Sequence, residues 1–310
     1  MLKITGLKKR YKNFEVLRGL DMNLAKGEVY GFLGKNGCGK TTTMNIICNI
    51  VAKDSGKIEF VGDAHPGVPT EKPNIGYLTE SPALYSFMNG YEYLKYIAAC
   101  SNYKGDVNKR VREVLDVVGM SQGAFRRIKG YSRGMNQRLG IAAAIFDSPE
   151  LLILDEPTSA LDPEGRAEVM SIIRNLKQLG ATIVLCTHII TDVERVADKI
   201  GIMKDGLIVE EGNIDEIVTK YRNNSTQITV RLANPDTEVA SMLAMLPSVD
   251  SNYYNEHSGE MIVGSAKIDL LYYEIIEFLQ EKKIKVSELI AQKTTLEDVY
   301  FSVTGLGGRA

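Results

Sequence analysis

Eight residues near the start of the chain have the types and spacing that phosphate binding requires. The segment Gly34–Thr41, GKNGCGKT, follows the pattern G-x-x-x-x-G-K-T. Its glycines allow backbone N–H groups to face phosphate oxygens, Lys40 adds a positive charge, and Thr41 offers a hydroxyl to Mg²⁺. A glycine turn before a core helix is the alternative interpretation. Because the strand-like run VYGFLG precedes the pattern and a helical run follows it, the segment predicts a nucleotide phosphate site.

Two carboxylates follow a second apolar run. In LLILDE, four apolar residues place Asp155 and Glu156 at the exposed end of a predicted buried strand. We expect Asp155 to hold Mg²⁺ through water and Glu156 to polarise the attacking water. Taken alone, the pair is also typical of a helix N-cap followed by a solvated glutamate. The phosphate loop favours the catalytic interpretation.

A third segment, YSRGMNQRL at residues 131–139, resembles a helix start that binds an anion. Ser132 and Gly134 come directly before the helical apolar run LGIAAAIF. The phosphate loop lies nearly a hundred residues earlier, so the residues alone do not say which phosphate this segment contacts.

Composition limits the class of protein. The chain has 310 residues, which suggests about two domains. Its net charge of −2 gives no steering towards nucleic acid. The four cysteines show no C-x-x-C pair, and the three histidines are far apart, so we expect reduced thiols and no metal cluster of these residues. The start of the chain lacks the apolar core of a signal peptide, and no apolar run can span a bilayer, so we expect any membrane role to come through a partner.

The predicted elements place the motifs in an α/β domain. Strands are expected around Ile4 and Val16 and in the runs VYGFLG, IGYLT, LLILD and ATIVLCTH, with a helix in TTTMNIICNIV. The stretch from Pro82 to Phe146 is mainly helical. A helix in EGRAEVMSIIRNLKQLG ends at Gly180, and IGIMKDGLIVEEG predicts a hairpin with an Asp-Gly turn.

A composition shift near YRNNSTQ, residues 221–227, predicts a linker. Beyond it, strands in QITVRL, SNYYNE, EMIVGS and IKVSELIA alternate with helices in TEVASMLAML and IDLLYYEIIEFLQEKK, and a last helix lies in TLEDVYFSVTG. This is the β-α-β-β-α-β order of a ferredoxin-like unit with one extra helix. The predicted domains are residues 1–220, with a helical subdomain at about 82–148, and residues 221–310.

The motifs, taken in order, resemble the ATP-binding cassette of an ABC transporter over roughly residues 1–218. The elements are the phosphate loop, Glu80, the segment at Ser132, the Asp155/Glu156 pair and SALD at residues 159–162, with His188 last. The resemblance implies a P-loop fold with an antiparallel β-subdomain and a helical subdomain, and an ATPase that uses ATP and Mg²⁺. It also implies two cassettes paired head to tail, so that Ser132 and Gly134 face the nucleotide held by the partner's phosphate loop.

The resemblance assigns roles to individual positions. Nucleotide contacts fall on Tyr11, Gly34, Lys35, Asn36, Gly37, Cys38, Gly39, Lys40, Thr41, Thr42, Ser132, Gly134, Met135 and Asp162. Metal contacts fall on Thr41, Glu80 and Asp155, and catalysis on Glu156 and His188. Tyr11 is the position of an adenine-stacking ring, although packing on the sheet explains an aromatic there equally well. A lone histidine is more often structural, but the ordered motifs favour a γ-phosphate contact for His188.

The segment at residues 131–135 departs from the family's usual LSGGQ. Arg133 replaces a glycine and Met135 a glutamine, whereas Ser132 and Gly134 are kept. Glu80 stands where glutamine is usual, and a carboxylate can still bind Mg²⁺ or its water. These forms are familiar in an exporter-type group. Cys38, close to Lys40 and a helix start, either has a lowered pKa or is simply a small residue that fills the loop, and the second interpretation is favoured.

The resemblance also implies partners and a location. They are a second copy of the chain and an integral membrane permease, with no nucleic acid, at the cytoplasmic face of the cell membrane. Tyr85, Phe87 and Met88 are the candidates for permease contact, whereas Tyr93, Tyr96 and Ile97 lie at helical spacing and are predicted to be core. The alternative function is a soluble ABC ATPase that acts on ribosomes or DNA. The single cassette and the short interval from Lys40 to Ser132 argue against it.

Overall fold

The computed structural model describes residues 1–61, 69–101, 103–221, 226–292 and 294–305. The chain divides into two compact units, Met1–Ile214 and Asp215–Ala310. Part of the predicted linker, residues 222–225, lies outside the described residues, as does His65. The predicted domain boundary at residues 220 and 221 stays a prediction.

The first unit contains ten strands and six helices among its described residues. The strands are β1 (Leu2–Tyr11), β2 (Phe14–Leu24), β3 (Val29–Gly34), β4 (Ser55–Val61), β5 (Pro69–Thr70), β6 (Ile75–Leu78), β7 (Leu151–Asp155), β8 (Thr182–Thr187), β9 (Lys199–Lys204) and β10 (Leu207–Asn213). The helices are α1 (Lys40–Ile47), α2 (Gly90–Cys100), α3 (Val107–Val117), α4 (Arg133–Ala144), α5 (Pro163–Gln178) and α6 (Ile190–Val196). A further helix, α7 (Ile214–Tyr221), begins at the unit boundary.

Two sheets build the core of the first unit. One is antiparallel, in the order β2-β1-β4-β5, and the other has the order β10-β9-β3-β8-β7-β6 with five parallel strands and an antiparallel β10. Every residue of β3, β7 and β8 is buried, as expected for parallel strands covered on both faces. Leu7 and Leu20 of the antiparallel sheet pack in one apolar cluster with Phe32 and Ile153 of the parallel one. The predicted cassette architecture is therefore observed.

The helical region lies between β6 and β7, as predicted. Apart from residue 102, which is not described, residues 82–146 contain α2, α3, α4 and a 3-10 turn at Ile128–Gly130, and one isolated bridge joins Asn89 and Arg127. Asn89 caps α2 in a reciprocal capping box with Glu92, and Ser132 caps α4 by accepting the N–H of Met135. These caps fix where the two helices begin.

Some element predictions were wrong in extent. The helix predicted through Val51 ends at Ile47, because Asn49 adopts a left-handed φ of 64° that a helix does not continue. Strand β4 and helix α6 were not predicted. The helix has only seven residues, too few to show a clear period.

The second unit forms a four-stranded antiparallel sheet. Its described elements after α7 are β11 (Thr226–Leu232), α8 (Thr237–Ala244), β12 (Ser251–Asn255), β13 (Glu260–Ser265), α9 (Ile268–Glu281), β14 (Val286–Gln292) and α10 (Leu296–Thr304). The strand order β12-β13-β11-β14 is that of a split β-α-β unit, and the predicted element order is observed. Its core contains Ile228 and Val230 with Leu271 and Ile275 of α9.

Candidate nucleotide-binding site

The predicted site residues follow four adjacent parallel strands. The phosphate loop follows β3, His188 follows β8, Glu156 follows β7, and Glu80 lies two residues after β6. Ligands of open α/β sheets bind beside the carboxyl ends of the strands. The sheet therefore collects residues that are more than a hundred positions apart in the chain.

The phosphate loop bends through two glycines in left-handed conformations. Gly37 has a φ of 82° and Gly39 a φ of 115°, angles that residues with a side chain rarely adopt. Helix α1 starts directly after Gly39. The ammonium of Lys40 is buried and donates to the carbonyl oxygens of Gly34 at 2.7 Å and Lys35 at 3.3 Å. The lysine is thereby held over the curve of its own loop.

The geometry around Asp155 fits a divalent cation. Thr41 Oγ1 donates to Asp155 Oδ2 at 2.7 Å, whereas Asp155 Oδ1 is buried with no hydrogen-bond partner among the described residues. Burial raises the pKa of the Asp155 carboxyl, and the hydrogen bond from Thr41 opposes that shift. A cation at the unpartnered oxygen would offset the cost of burying this carboxylate. A hydroxyl and a carboxylate are ligands that Mg²⁺ accepts.

The carboxylate of Glu156 is almost completely enclosed by polar partners. Both of its oxygens lie 3.0 Å from His188 Nδ1, Thr187 Oγ1 donates to Oε2 at 3.2 Å, and Lys40 Nζ is 3.5 Å from Oε1. The backbone of Glu156 has a left-handed φ of 49°. The structure therefore brings Glu156, His188 and Lys40 together.

A cavity of about 410 Å³ opens beside the phosphate loop. Its lining residues are Tyr11, Val16, Asn36, Gly37, Gly39, Lys40, Thr41, Thr42, Glu80 and Glu156. Tyr11 is 45% exposed, and Lys9 Nζ lies 5.2 Å from its ring centroid. Because the ring is not packed away in the core, it remains open to stacking on a base.

Ser132, Gly134 and Asp162 line a different cavity, of about 310 Å³. Ser132 Oγ accepts the N–H of Met135 at 3.2 Å, and Asp162 Oδ1 accepts the N–H of Gly165 at 2.9 Å and caps α5. The predicted contact residues thus fall into two groups on one chain, one around Lys40 and one around Ser132.

The two groups share an electrostatic feature. Helices α1 and α4 begin with the basic residues Lys40 and Arg133, and neither has an acidic residue in its first turn. Among the helices of the described residues, α2, α5, α6, α7, α8, α9 and α10 have an acid in the first turn, and α3 has the N-cap Asp106. A cation at a helix start adds to the positive end of the dipole. Both starts therefore favour an anion supplied from outside the helix.

The structure supports the favoured interpretation of Cys38 and corrects the prediction for Tyr96. Burial raises the pKa of the Cys38 thiol and outweighs the opposing charge of Lys40, so the suggested low pKa is not found. A Cβ built on Gly34 would lie 2.6 Å from Cys38 Sγ, which supports the loop-filling interpretation. Tyr93 is buried and Ile97 half-buried, but Tyr96 is 39% exposed and its ring packs edge-on against Tyr85 at 5.3 Å.

The proposed permease-contact residues are not equally exposed. Phe87 is 65% exposed and Tyr85 42%, whereas Met88 is half-buried. The exposed rings of Tyr85 and Phe87 lie 5.7 Å apart, so they form one aromatic surface. Rigid aromatics of this kind suit an interface.

Sequence reasoning missed several residues that surround Glu156. Thr187 donates to its carboxylate, and Gln137 Nε2 lies 3.5 Å from its main-chain oxygen. The position of Thr187 next to His188 was the available signal. A second group, Thr158, Arg166 and Asp192, forms a hydrogen-bonded cluster with no pattern in the sequence.

The fold and the phosphate loop define the chain as a P-loop nucleotide-binding protein, and comparison with known proteins identifies the family. A family model described as ABC transporter matches residues 17–159. The bacitracin transport ATP-binding protein BcrA of Enterococcus faecalis is 32% identical over 318 residues, covering 100% of this chain and 98% of that protein. The linearmycin resistance ATP-binding protein LnrL of Bacillus subtilis (strain 168) is 31% identical over 309 residues, covering 98% of each.

A solved structure has the same fold. The dimeric structure of MJ0796, a bacterial ABC transporter cassette, matches with a TM-score of 0.60 at 24% identity, covering 69% of this chain and 98% of that one. The two relatives that align with nearly the whole chain show that it belongs to the ATP-binding subunits of ABC transporters. Among the described residues, no helix is both long and apolar enough to cross a membrane.

Proposed function

We propose that this chain hydrolyses ATP and drives a separate membrane permease that exports its substrate. The observation that supports hydrolysis is the enclosed carboxylate of Glu156, within 3.5 Å of Lys40 Nζ and 3.0 Å of His188 Nδ1. A general base needs a positioned carboxylate beside the reacting phosphate. Lys40 and the loop N–H groups bind the phosphates in this proposal, and the Tyr11 ring stacks on the adenine.

In the proposed reaction, the oxygen of a water attacks the γ-phosphorus and the bond from phosphorus to the β–γ bridging oxygen breaks. Glu156 accepts a hydrogen bond from the attacking water and takes its proton, while His188 orients the carboxylate. Thr41 and Asp155 would hold Mg²⁺, with Glu80 in reach of its water. The bound cation would neutralise charge that develops on the phosphate oxygens.

Two copies of the chain would enclose two nucleotides head to tail. The separate cavities around Lys40 and Ser132 support this arrangement, because each chain then presents a phosphate loop and a capping helix in different places. The similar MJ0796 cassette is described as dimeric. Ser132, Gly134 and Met135 would cap the partner's nucleotide through a hydroxyl, N–H groups and a helix dipole. Asp162 would connect the two sites.

The names of the relatives support a role in transport, and in this proposal the chain acts on a permease at the cytoplasmic face of the membrane. BcrA is named for bacitracin transport and LnrL for linearmycin resistance, and both align with nearly the whole chain. The exposed aromatic surface of Tyr85 and Phe87 is the proposed contact with the permease. No nucleic acid partner is proposed, since the net charge is −2.

Purification from the native host in mild detergent tests this proposal. We expect a multi-spanning membrane protein in equal amount and ATP hydrolysis in the same preparation. A Phe87→Glu variant should lose the membrane protein and keep hydrolysis, and Phe125→Glu, which changes another exposed aromatic of the helical region, is the control. Co-purification of ribosomes or DNA instead of a membrane protein would contradict it.

A further inference from the structure

A buried carboxylate lies beside the proposed catalytic pair without touching it. Asp192, in the first turn of α6, is 0% exposed. Its Oδ2 accepts the hydroxyl of Thr158 at 2.6 Å, and its Oδ1 accepts the Nε–H of Arg166 at 2.8 Å. Arg166 also donates to Thr191 Oγ1 at 2.7 Å. The cluster joins α6, α5 and the loop after Glu156.

Stability alone does not account for a charge in this position. Removing a carboxylate from water is costly, and apolar side chains of similar volume often stabilise a fold as well as a buried ion pair does. Buried polar clusters with all partners satisfied instead fix one local arrangement. The location of this cluster therefore indicates what it fixes.

The loop tied down by Asp192 is strained. Glu156 and Ala160 have left-handed φ values of 49° and 53°, although neither is glycine. Such residues persist only where their surroundings hold them. Thr158 lies between them, is 2% exposed, and its side chain bonds to Asp192. This bond attaches the strained loop to another element.

The segment that contains Asp192 also contains His188, which contacts Glu156. His188 follows β8, and Asp192 is four residues further along the chain. The segment 187–192 thus meets the segment 156–158 through three side chains: Thr187 and His188 contact the Glu156 carboxylate, and Asp192 contacts Thr158. Loss of the contact between Asp192 and Thr158 would let the two segments shift relative to each other.

We infer that Asp192 is a positioning residue that, through Thr158, sets the distance between Glu156 and His188. The inference rests on the proposed hydrolytic function. The phosphate loop is not part of the cluster. Loss of the hydrogen bond between Thr158 and Asp192 should therefore slow ATP turnover and leave ATP binding unchanged.

The test compares matched threonine variants of the full chain. Thr158→Val keeps the volume and removes the hydroxyl, and Thr158→Ser restores it. Thr182→Val is the control, because Thr182 is also buried and its Oγ1 accepts the N–H of Gly27 at 2.9 Å at the other end of β8. Steady-state kcat and KM for ATP and the melting temperature are measured for each.

Thr158→Val is expected to lower kcat by about ten- to a hundredfold with KM within about twofold, because small displacements of reacting groups have effects of this size. Thr158→Ser should recover most of the rate. Both valine variants should lose a few degrees of melting temperature, but Thr182→Val should keep its kcat. Equal kcat values for the two valine variants would overturn the inference.

A second measurement does not depend on turnover. The NMR signals of the His188 ring in isotope-labelled protein are assigned by comparison with His188→Ala. Their chemical shifts should change in Thr158→Val but not in Thr182→Val. If Thr158→Val does not fold, Asp192→Asn keeps the shape of the side chain and removes the charge that faces Arg166, and it should move the same signals. Unchanged His188 signals would refute the inference, whereas a wild-type chain without ATPase activity would refute the proposed function.

Discussion

The starts of α1 and α4 have similar charges but different surroundings. Each helix begins with a basic residue, Lys40 or Arg133, and has no acid in its first turn. Lys40 is 5% exposed and bonds to the carbonyl oxygens of its own loop. Ser132 and Arg133 are exposed. One helix start is thus completed within its own chain, and the other faces outwards.

The difference distinguishes the two segments that the sequence predicts to bind phosphate. The first is surrounded by Thr41 of α1 and by Asp155, Glu156 and His188 at the ends of strands. The second has the hydroxyl of Ser132, the start of α4 and the cation of Arg133, and Asp162, which lines the same cavity, caps α5. In the proposed dimer, it would contribute by meeting the first motif of another copy.

The largest expected effect comes from changing the first site. Glu156→Gln should lower ATP turnover by at least about a hundredfold, since a general base contributes about 10²–10⁴ in rate. ATP binding should stay within about twofold, because the phosphate loop is unchanged. Turnover is measured by phosphate release and binding by titration calorimetry.

The control for this change is Glu150→Gln, which alters an exposed carboxylate just before the other end of the same strand, β7. It should hydrolyse at the wild-type rate. A Glu156→Gln variant with wild-type turnover would remove Glu156 from the mechanism and weaken the contrast between the two helix starts.

A smaller effect is expected at the second site. Arg133→Ala should weaken ATP-driven pairing of two chains by at least about tenfold, because a hydrogen bond to a charged group contributes about 1.5–3 kcal/mol. Binding of ATP by the single chain should not change. Pairing is measured by sedimentation of the Glu156→Gln protein at several concentrations.

Lys129→Ala is the matched control, since it removes the same charge from an exposed residue four positions earlier. It should pair normally, and Arg133→Lys should keep most of the affinity. Equal weakening by Arg133→Ala and Lys129→Ala would mean that overall charge, and not the helix start, promotes pairing.

Local patterns were sufficient to predict the strands and the glycine loop that bring residues together around Lys40. Neighbouring residues form both the glycine spacing of the phosphate loop and the continuous apolar runs of β3, β7 and β8. Such patterns can therefore be recognised in a single sequence. The sheet then brings their ends together. The same reasoning predicted the hairpin of β9 and β10, where Asp205 and Gly206 have the left-handed φ values of its turn.

Contacts between distant segments were not predictable in this way. Thr158 and Asp192 are 34 positions apart and meet only because β7 and β8 are neighbours. The exposure of Tyr96 depends on how α2 packs, and helical spacing alone placed it in the core. The raised pKa of Cys38 depends on burial that the loop sequence does not reveal.

The proposal that two chains share each nucleotide is tested most directly by measuring the mass of the Glu156→Gln protein in solution. The measurement is made with Mg²⁺ and ATP, with and without the additional substitution Ser132→Arg. Light scattering after gel filtration gives the mass, and calorimetry checks that both proteins bind ATP. We predict a mass twice that of one chain for Glu156→Gln and a single-chain mass when Ser132→Arg is added. Dimers of equal stability in both proteins would contradict a nucleotide shared between Lys40 of one chain and Ser132 of the other.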